Sequence, residues 1–131
     1  MIESPSLLIT DDDPAFRETL QDVLAPEGYR TLLAGDGEEA LGIVRRETVH
    51  LVLLDMHMPK LTGLETLRRV RQLKAILPCI LLSADLDELI VEQARLLRAF
   101  SVLAKPVTRR EITGVVRDAL KRTYNWRLPP Q

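Results

Sequence analysis

The stretch that decides the fold is Leu51-Val52-Leu53-Leu54-Asp55-Met56-His57-Met58-Pro59, in which four aliphatic residues end on an acid. A run of four branched aliphatic side chains is typical of a strand that is buried on both faces, as in a parallel sheet. An acid directly after such a strand lies at the edge of the sheet. The role of Asp55 is therefore the first question that the sequence raises.

Four further apolar runs alternate with segments of helical spacing, so the sequence predicts five strands and five helices. The strands are expected at residues 7–10, 29–34, 51–54, 79–83 and 101–104. The helices are expected to start at capping residues, namely Asp13 before Pro14, Asp36, Thr62, Asp85 to Glu88, and Thr108. The third helix is predicted to extend to Pro78 and the fourth to about Arg98. This alternation predicts an α/β protein with a flavodoxin-like (βα)5 fold and a five-stranded parallel sheet of order 2-1-3-4-5.

The length of 131 residues suits a single domain, which we place at residues 1–124, with residues 125–131 as a tail or the start of a linker. No window has the roughly 18 apolar residues that a membrane span needs, so no membrane contact is expected. The single cysteine, Cys79, cannot form an internal disulfide, which fits the reducing cytoplasm, and its apolar neighbours predict a core residue. A net charge of −1 argues against direct binding of nucleic acid.

Charged residues are unevenly distributed, with an excess of acids in residues 1–65 and of bases in residues 66–131. Most of the bases fall on predicted helices, where we favour a solvated outer face over contact with an acidic protein or DNA. They are Arg68, Arg69, Arg71, Lys74, Arg109, Arg110, Arg117, Lys121 and Arg122. The fourth helix is apolar over more of its circumference than one buried face requires. The surface of helix 4, strand 5 and helix 5 is therefore our candidate for contact with an effector or a second copy of the chain.

Reactive or charged side chains follow the strands that border the centre of the predicted sheet. They are Asp11 and Asp12 after strand one, Asp55 at the end of strand three, Ser83 at the end of strand four and Lys105 after strand five. Ligands bind at the carboxyl ends of such strands, where the winding reverses between strands one and three. Each residue alone has an ordinary explanation as a cap, a turn former or a solvated side chain. Their coincidence at one edge favours a functional site.

Three carboxylates at one edge require a compensating charge. A close pair repels by ~4 kcal/mol at an effective dielectric constant near 20, unless a cation or a proton intervenes. Oxygen ligands favour a hard cation, and Mg²⁺ is favoured over Ca²⁺ because carboxylates and waters suit an octahedral site and no calcium-loop spacing is present. Such an ion would support phosphoryl transfer to an oxygen nucleophile, which Asp55 provides. Lys105 and Ser83 would bind phosphoryl oxygens.

Four motifs together resemble the receiver domain of two-component response regulators. They are residues 10–14 (Thr-Asp-Asp-Asp-Pro), residues 53–59, residues 81–84 (Leu-Leu-Ser-Ala) and Lys105-Pro106. The resemblance covers the chain to about Tyr124, so residues 1–124 would be the receiver domain. It implies a cytoplasmic signalling protein rather than a classical enzyme, in which Asp55 accepts a phosphoryl group from the phosphohistidine of a sensor histidine kinase or phosphotransfer protein.

The resemblance also implies roles for the other site residues. The ligands of Mg²⁺ would be Asp11, Asp12, Asp55 and the backbone carbonyl of His57. Ser83 would be the switch hydroxyl that moves toward the phosphoryl group, and Lys105 would form a salt bridge with it. The Lys105–Pro106 peptide bond would be cis. The side chains of His57 and Asp85 would occupy positions that affect the lifetime of the acyl phosphate, whereas His50 is expected to be structural.

The sequence departs from the family at Val102, where receivers usually carry a tyrosine or phenylalanine three residues before the lysine. Phe100 precedes Val102 by two residues, and strand alternation predicts that both side chains lie on the same side of the sheet. This departure leaves the coupling of Ser83 to an aromatic side chain open. Movement of helix 4 and the loop before it is the alternative route of output.

Two other functions compete with the receiver interpretation. A receiver-shaped adaptor would bind partners without phosphorylation, which Val102 favours weakly and the intact acids, Ser83 and Lys105 oppose. A haloacid-dehalogenase-like phosphatase would use Asp11 as the nucleophile and Asp13 as the second acid. That family has Gly-Thr after its acids, where this chain has Pro14 and Ala15, and an acidic pair beyond the lysine, where this chain has only scattered acids.

Overall fold

The computed structural model describes residues 2–128 and shows a single parallel sheet with helices on both faces. The strands are β1 (Ser6–Thr10), β2 (Arg30–Ala34), β3 (Leu51–Asp55), β4 (Cys79–Ser83) and β5 (Ser101–Ala104). The helices are α1 (Pro14–Leu24), α2 (Gly37–Arg46), α3 (Gly63–Leu73), α4 (Glu88–Leu96) and α5 (Arg109–Tyr124). All strand pairs are parallel, in the order β2-β1-β3-β4-β5. The predicted fold class and strand order are confirmed.

The sheet separates two apolar layers because successive side chains of a strand point to opposite faces. The first core layer lies toward α2, α3 and α4 and contains Leu8, Val52, Leu54, Leu81, Leu41, Leu67, Val70 and Ala94. The second core layer lies toward α1 and α5 and contains Leu7, Ile9, Leu53, Ile80, Leu82, Leu20, Leu24, Ile112, Val116 and Leu120. Full burial of each such aliphatic side chain stabilises the fold by about 1.5–3 kcal/mol.

Helix starts follow the capping signals of the sequence. Thr62 and Thr108 each form a complete capping box with the glutamate three residues later. Asp36 accepts a hydrogen bond from the backbone N–H of Glu39. Within the predicted cap of α4, Asp87 is the N-cap. No helix among residues 2–128 combines the length and apolar character that crossing a membrane requires.

Helices α3 and α4 end earlier than predicted. The sequence predicts that α3 extends to Pro78, but α3 ends at Leu73 and the backbone of the following Lys74 is extended. Leu77, which lies within the predicted length of the helix, instead contributes to the first core layer from a loop. Helix α4 ends at Leu96 because Arg98 adopts a left-handed backbone with φ of 58° and the next N–H donates to the carbonyl of Ala94 at 2.9 Å.

The expectation that Arg71 belongs to a solvated basic face is wrong. This half-buried side chain spans the carboxyl ends of α3 and α4. Its Nη1 donates to the carbonyl of Leu77 at 2.6 Å, its Nε to that of Leu97 at 2.9 Å and its Nη2 to that of Arg98 at 2.9 Å. The guanidinium satisfies carbonyls that a helix end and two loops would otherwise leave unpaired.

His50 lies before β3 and makes contacts at both its side chain and its backbone. Its Nδ1 accepts a hydrogen bond from the N–H of Ser6 at 2.9 Å, and its carbonyl accepts one from the hydroxyl of Tyr124 at 2.7 Å. Burial lowers the pKa of His50 from its ordinary value of 6.5. These contacts are structural, and they lie at the amino end of the sheet.

Trp126 is buried although the sequence places it in a tail or linker. Its Nε1 donates to the carbonyl of Ile2 at 2.9 Å, and its ring centroid lies 5.6 Å from that of Tyr29. The segment after α5 therefore packs against the second core layer and joins the two ends of the described chain. Residues 129–131 of the predicted tail lie outside the described residues.

Candidate functional site

Three acids converge at the carboxyl end of the sheet. Asp11 follows β1 and Asp55 is the last residue of β3, so the parallel pairing of these two strands brings them together. One carboxylate oxygen from each of Asp11, Asp12 and Asp55 lies within 4.8 Å of the others. Asp11 and Asp55 are buried, whereas Asp12 is exposed. The cluster is therefore a half-open set of oxygen ligands.

Lys105 places an ammonium group between the two buried acids. Its Nζ lies 2.8 Å from Oδ1 of Asp55 and 3.0 Å from Oδ2 of Asp11. Only 20% of its side chain is exposed. The Lys105–Pro106 peptide bond is cis, as the family resemblance implied.

The buried charges perturb one another. Burial raises the pKa of Asp55 above its ordinary value; the hydrogen bond from Lys105 opposes this shift, and the charge of Asp11 adds to it. Burial lowers the pKa of Lys105, but hydrogen bonds to Asp55 and Asp11 outweigh that effect, and the net pKa is raised. Lys105 thus stays protonated at neutral pH, while Asp55 carries a charge that the folded protein stabilises incompletely.

The backbone around the acids is tightly held. The Oδ1 of Asp11 accepts a hydrogen bond from the N–H of Asp13 at 2.9 Å, and Nη1 of Arg17 donates to the Asp11 carbonyl at 2.8 Å. A Cβ at Gly63 would lie 2.5 Å from the carbonyl oxygen of Asp55. Glycine at this position therefore lets the start of α3 approach the backbone of β3.

Ser83 and His57 lie at the same edge. Ser83 is fully buried at the end of β4, and its Oγ accepts a hydrogen bond from the N–H of Asp85 at 3.2 Å. The hydroxyl keeps its own proton to donate. His57 and Asp85 are exposed, with 3.9 Å between Nε2 and Oδ2. The contacts that the structure shows among the acids and Lys105 do not extend to these three side chains.

One expectation about the output residues is wrong. Val102 packs against the first core layer, but Phe100 packs against the second, on the other side of the sheet. Phe100 precedes β5, which begins at Ser101, so the alternation of a strand does not extend to it. Phe100 therefore does not lie beside Val102.

Phe16 is a residue of the site that the sequence did not indicate. It lies in the first turn of α1, and its ring centroid is 4.2 Å from Nζ of Lys105. The apolar spacing of α1 by itself accounts for Phe16 as a core residue. The one available signal was its position soon after the consecutive acids at residues 11–13, since α1 starts at the carboxyl end of the sheet.

Comparison with known proteins gives a consistent family. The family model of the response regulator receiver domain matches residues 7–117. Transcriptional regulatory protein CpxR of Klebsiella pneumoniae is 37% identical over 118 residues, which cover 90% of this chain and 50% of that protein. Sporulation initiation phosphotransferase F of Bacillus subtilis is 36% identical over 116 residues, which cover 88% of this chain and 90% of that protein. The chain thus spans about half the length of the first relative and most of the second.

Solved structures agree with this family. The receiver domain of a Francisella response regulator has a TM-score of 0.84 and 30% sequence identity, over 92% of this chain and 99% of that chain. A CheY-like response regulator receiver domain protein from Methanospirillum hungatei has a TM-score of 0.90, over 93% of this chain and 98% of that chain. At 24% identity, the latter likeness supports the fold alone. None of these matches supports a phosphatase or an adaptor.

Proposed function

Since this chain belongs to the response regulator receiver domain family, we propose that Asp55 accepts a phosphoryl group and thereby switches a partner-binding surface. The donor is the phosphohistidine of a sensor histidine kinase or phosphotransfer protein. The observation that carries the proposal is the convergence of Asp11, Asp12 and Asp55 within 4.8 Å, with Lys105 bound to two of them. A receiver domain is a signalling protein rather than a classical enzyme.

In the proposed transfer, a carboxylate oxygen of Asp55 forms a bond to phosphorus while the bond from phosphorus to the donor nitrogen breaks. The electron pair of the broken bond stays on the imidazole nitrogen. Lys105 is already 2.8 Å from Asp55, so its ammonium can donate to a phosphoryl oxygen after a small displacement. The buried hydroxyl of Ser83 would donate to another phosphoryl oxygen.

The acids fit a magnesium site. The carboxylates of Asp11, Asp12 and Asp55 form an all-oxygen set of the kind that a hard cation prefers. The backbone carbonyl of His57, which the family resemblance implies as a further ligand, would add a fourth oxygen. When bound, Mg²⁺ would neutralise the negative charge that accumulates on the phosphoryl oxygens. The raised pKa of Asp55 supports the need for such a positive charge. Lys105 now contacts Asp11 as well as Asp55, and would give up part of these contacts to the incoming groups.

The surface of α4, β5 and α5 is our proposed contact for an effector or a second copy of the chain. Leu89 and Leu96 of α4 are 66% and 65% exposed, and Val91 is exposed beside them. Ala94 is the only residue of α4 that is buried. A helix held by so few core contacts is suited to move when the loop after Ser83 moves. Mass measured against concentration tests the dimer, and a monomer in both phosphorylation states would contradict it.

The proposal is tested by intact-mass measurement after incubation with phosphoramidate and Mg²⁺. Wild type should gain one phosphoryl group, and Asp55→Asn should gain none. Asp118→Asn makes the same change on α5, where Asp118 pairs with Arg122, and should behave as wild type. No mass change in wild type would favour an adaptor. Continuous hydrolysis of a generic phosphate ester that requires Asp11 would favour a phosphatase.

A further inference from the structure

The ammonium of Lys105 has a third neighbour besides its two carboxylates. The ring of Phe16 lies 4.2 Å from Nζ, within the range in which the face of an aromatic ring attracts a cation. Phe16 is half-buried and packs against the second core layer. The ring is therefore fixed from behind by the core and faces the site with Lys105.

We infer that Phe16 is a positioning residue, which holds the ammonium of Lys105 beside Asp55 through a cation–π contact and so prepares it to receive a phosphoryl oxygen. This inference rests on the proposed function. Lys105 reaches the acids through a flexible four-carbon stem, which loses rotamer freedom when its end is fixed. A contact that already fixes the stem reduces the ordering needed during the transfer.

An aromatic ring can attract the ammonium of Lys105 without competing for its hydrogen bonds. An ammonium carries three N–H donors, and the carboxylates of Asp11 and Asp55 accept from it at 3.0 and 2.8 Å. The ring attracts the charge without offering a competing carboxylate or carbonyl. The hydrogen bonds of Lys105 thus stay directed at the acids, and one of them can transfer to a phosphoryl oxygen on Asp55.

The chain has two phenylalanines, so the same substitution can be made at Phe16 and at a control position. Phe16→Leu keeps an apolar side chain and removes the ring, whereas Phe16→Tyr keeps the ring. Phe100→Leu is the control, since Phe100 is also half-buried against the second core layer. Its N–H bonds to the carbonyl of Cys79, at the amino end of β4 and away from Lys105.

The first readout is structural and needs neither phosphoryl group nor Mg²⁺. In wild type, the ring should shift the Lys105 Hε resonances upfield in proton NMR. Phe16→Leu should abolish that shift, while Phe16→Tyr and Phe100→Leu should keep it. An unshifted Lys105 in wild type would overturn the inference directly.

The second readout is the rate of phosphorylation by phosphoramidate at saturating Mg²⁺. Phe16→Leu should slow it roughly 3- to 10-fold, the size that loss of a partly desolvated cation–π contact allows. Phe16→Tyr and Phe100→Leu should stay within roughly 2-fold of wild type. A Phe16→Leu rate equal to wild type, or a Phe16→Tyr rate as low as that of Phe16→Leu, would refute the positioning role. Absence of phosphorylation in wild type would instead refute the proposed function, and the NMR shift would still test the contact.

Discussion

The two ends of the sheet differ in how they satisfy their polar side chains. At the carboxyl end, Asp11, Asp12 and Asp55 face one another, with one lysine between the two buried acids. At the amino end, His50 accepts a hydrogen bond from the N–H of Ser6, and the side chains of Tyr124 and Trp126 donate to backbone carbonyls. Repulsion is therefore concentrated at one end, where a ligand can relieve it.

Asp55 at the carboxyl end and His50 at the amino end are expected to change the folding stability in opposite directions as pH changes. The folded protein raises the pKa of Asp55, so the folded state binds more protons there than the unfolded state does and loses stability as pH rises above about 4. It lowers the pKa of His50, so stability is lost at that residue as pH falls below 6.5. At neutral pH burial thus opposes the charge of Asp55, whereas it favours the neutral form of His50.

The largest effect is expected at the amino end from Trp126→Ala. Removing this buried ring should lower the free energy of unfolding by about 3–5 kcal/mol, because a cavity forms and the bond to Ile2 is lost. Trp126→Phe keeps most of the ring volume and should cost about 1 kcal/mol. Urea denaturation measures both. A loss below about 1 kcal/mol for Trp126→Ala would show that the segment after α5 adds little to the fold.

Arg71→Met should cost about 2–3 kcal/mol, because the carbonyls of Leu77, Leu97 and Arg98 lose a charged donor. Amide hydrogen exchange should accelerate in α4 more than in α5. Arg69→Met is the matched control, since Arg69 is exposed on the same helix, and should change stability by about 0.5 kcal/mol or less. Equal effects of the two substitutions would contradict the bridging role of Arg71.

Asp55→Asn should raise the free energy of unfolding by about 1 kcal/mol at pH 7 in the presence of a chelator, since relief of repulsion exceeds the weakened bond to Lys105. The gain should grow as pH rises above about 4 and disappear below it. Mg²⁺ should stabilise wild type and not the variant. Thermal unfolding across pH measures these differences, and a destabilised variant at pH 7 would mean that the acids are not strained.

The smallest effect is expected from His50→Gln, whose amide oxygen can still accept from Ser6. At pH 7 the stability should change by less than about 1 kcal/mol. Wild type should lose stability as pH falls below 6.5, and the variant should lose less. The same denaturation series gives this slope, and parallel curves for the two proteins would exclude His50 as its source.

The sequence was sufficient to predict the fold and to bring the charged residues to one edge. Apolar runs defined all five strands, and capping residues defined the helix starts, because both signals are local. Parallel pairing then placed Asp11, Asp12, Asp55 and Lys105 together without further information.

The features that sequence reasoning missed depend on contacts between distant residues. Trp126 bonds to Ile2 across almost the whole chain, and Arg71 reaches the end of the next helix. Strand alternation does not extend to Phe100, because it precedes β5 by one residue and packs against the second core layer. Phe16 was not recognised as part of the site because its helical spacing already explained it.

The central claim is that Asp55 itself carries the phosphoryl group. After treatment with phosphoramidate and Mg²⁺, reduction with borohydride converts an acyl phosphate to an alcohol, so a phosphorylated aspartate becomes homoserine. Peptide mass spectrometry should find homoserine at residue 55 and at no other acid. Homoserine at position 11, 12 or 13 instead would contradict the account. So would a protein that gains no mass and yields no homoserine at any position.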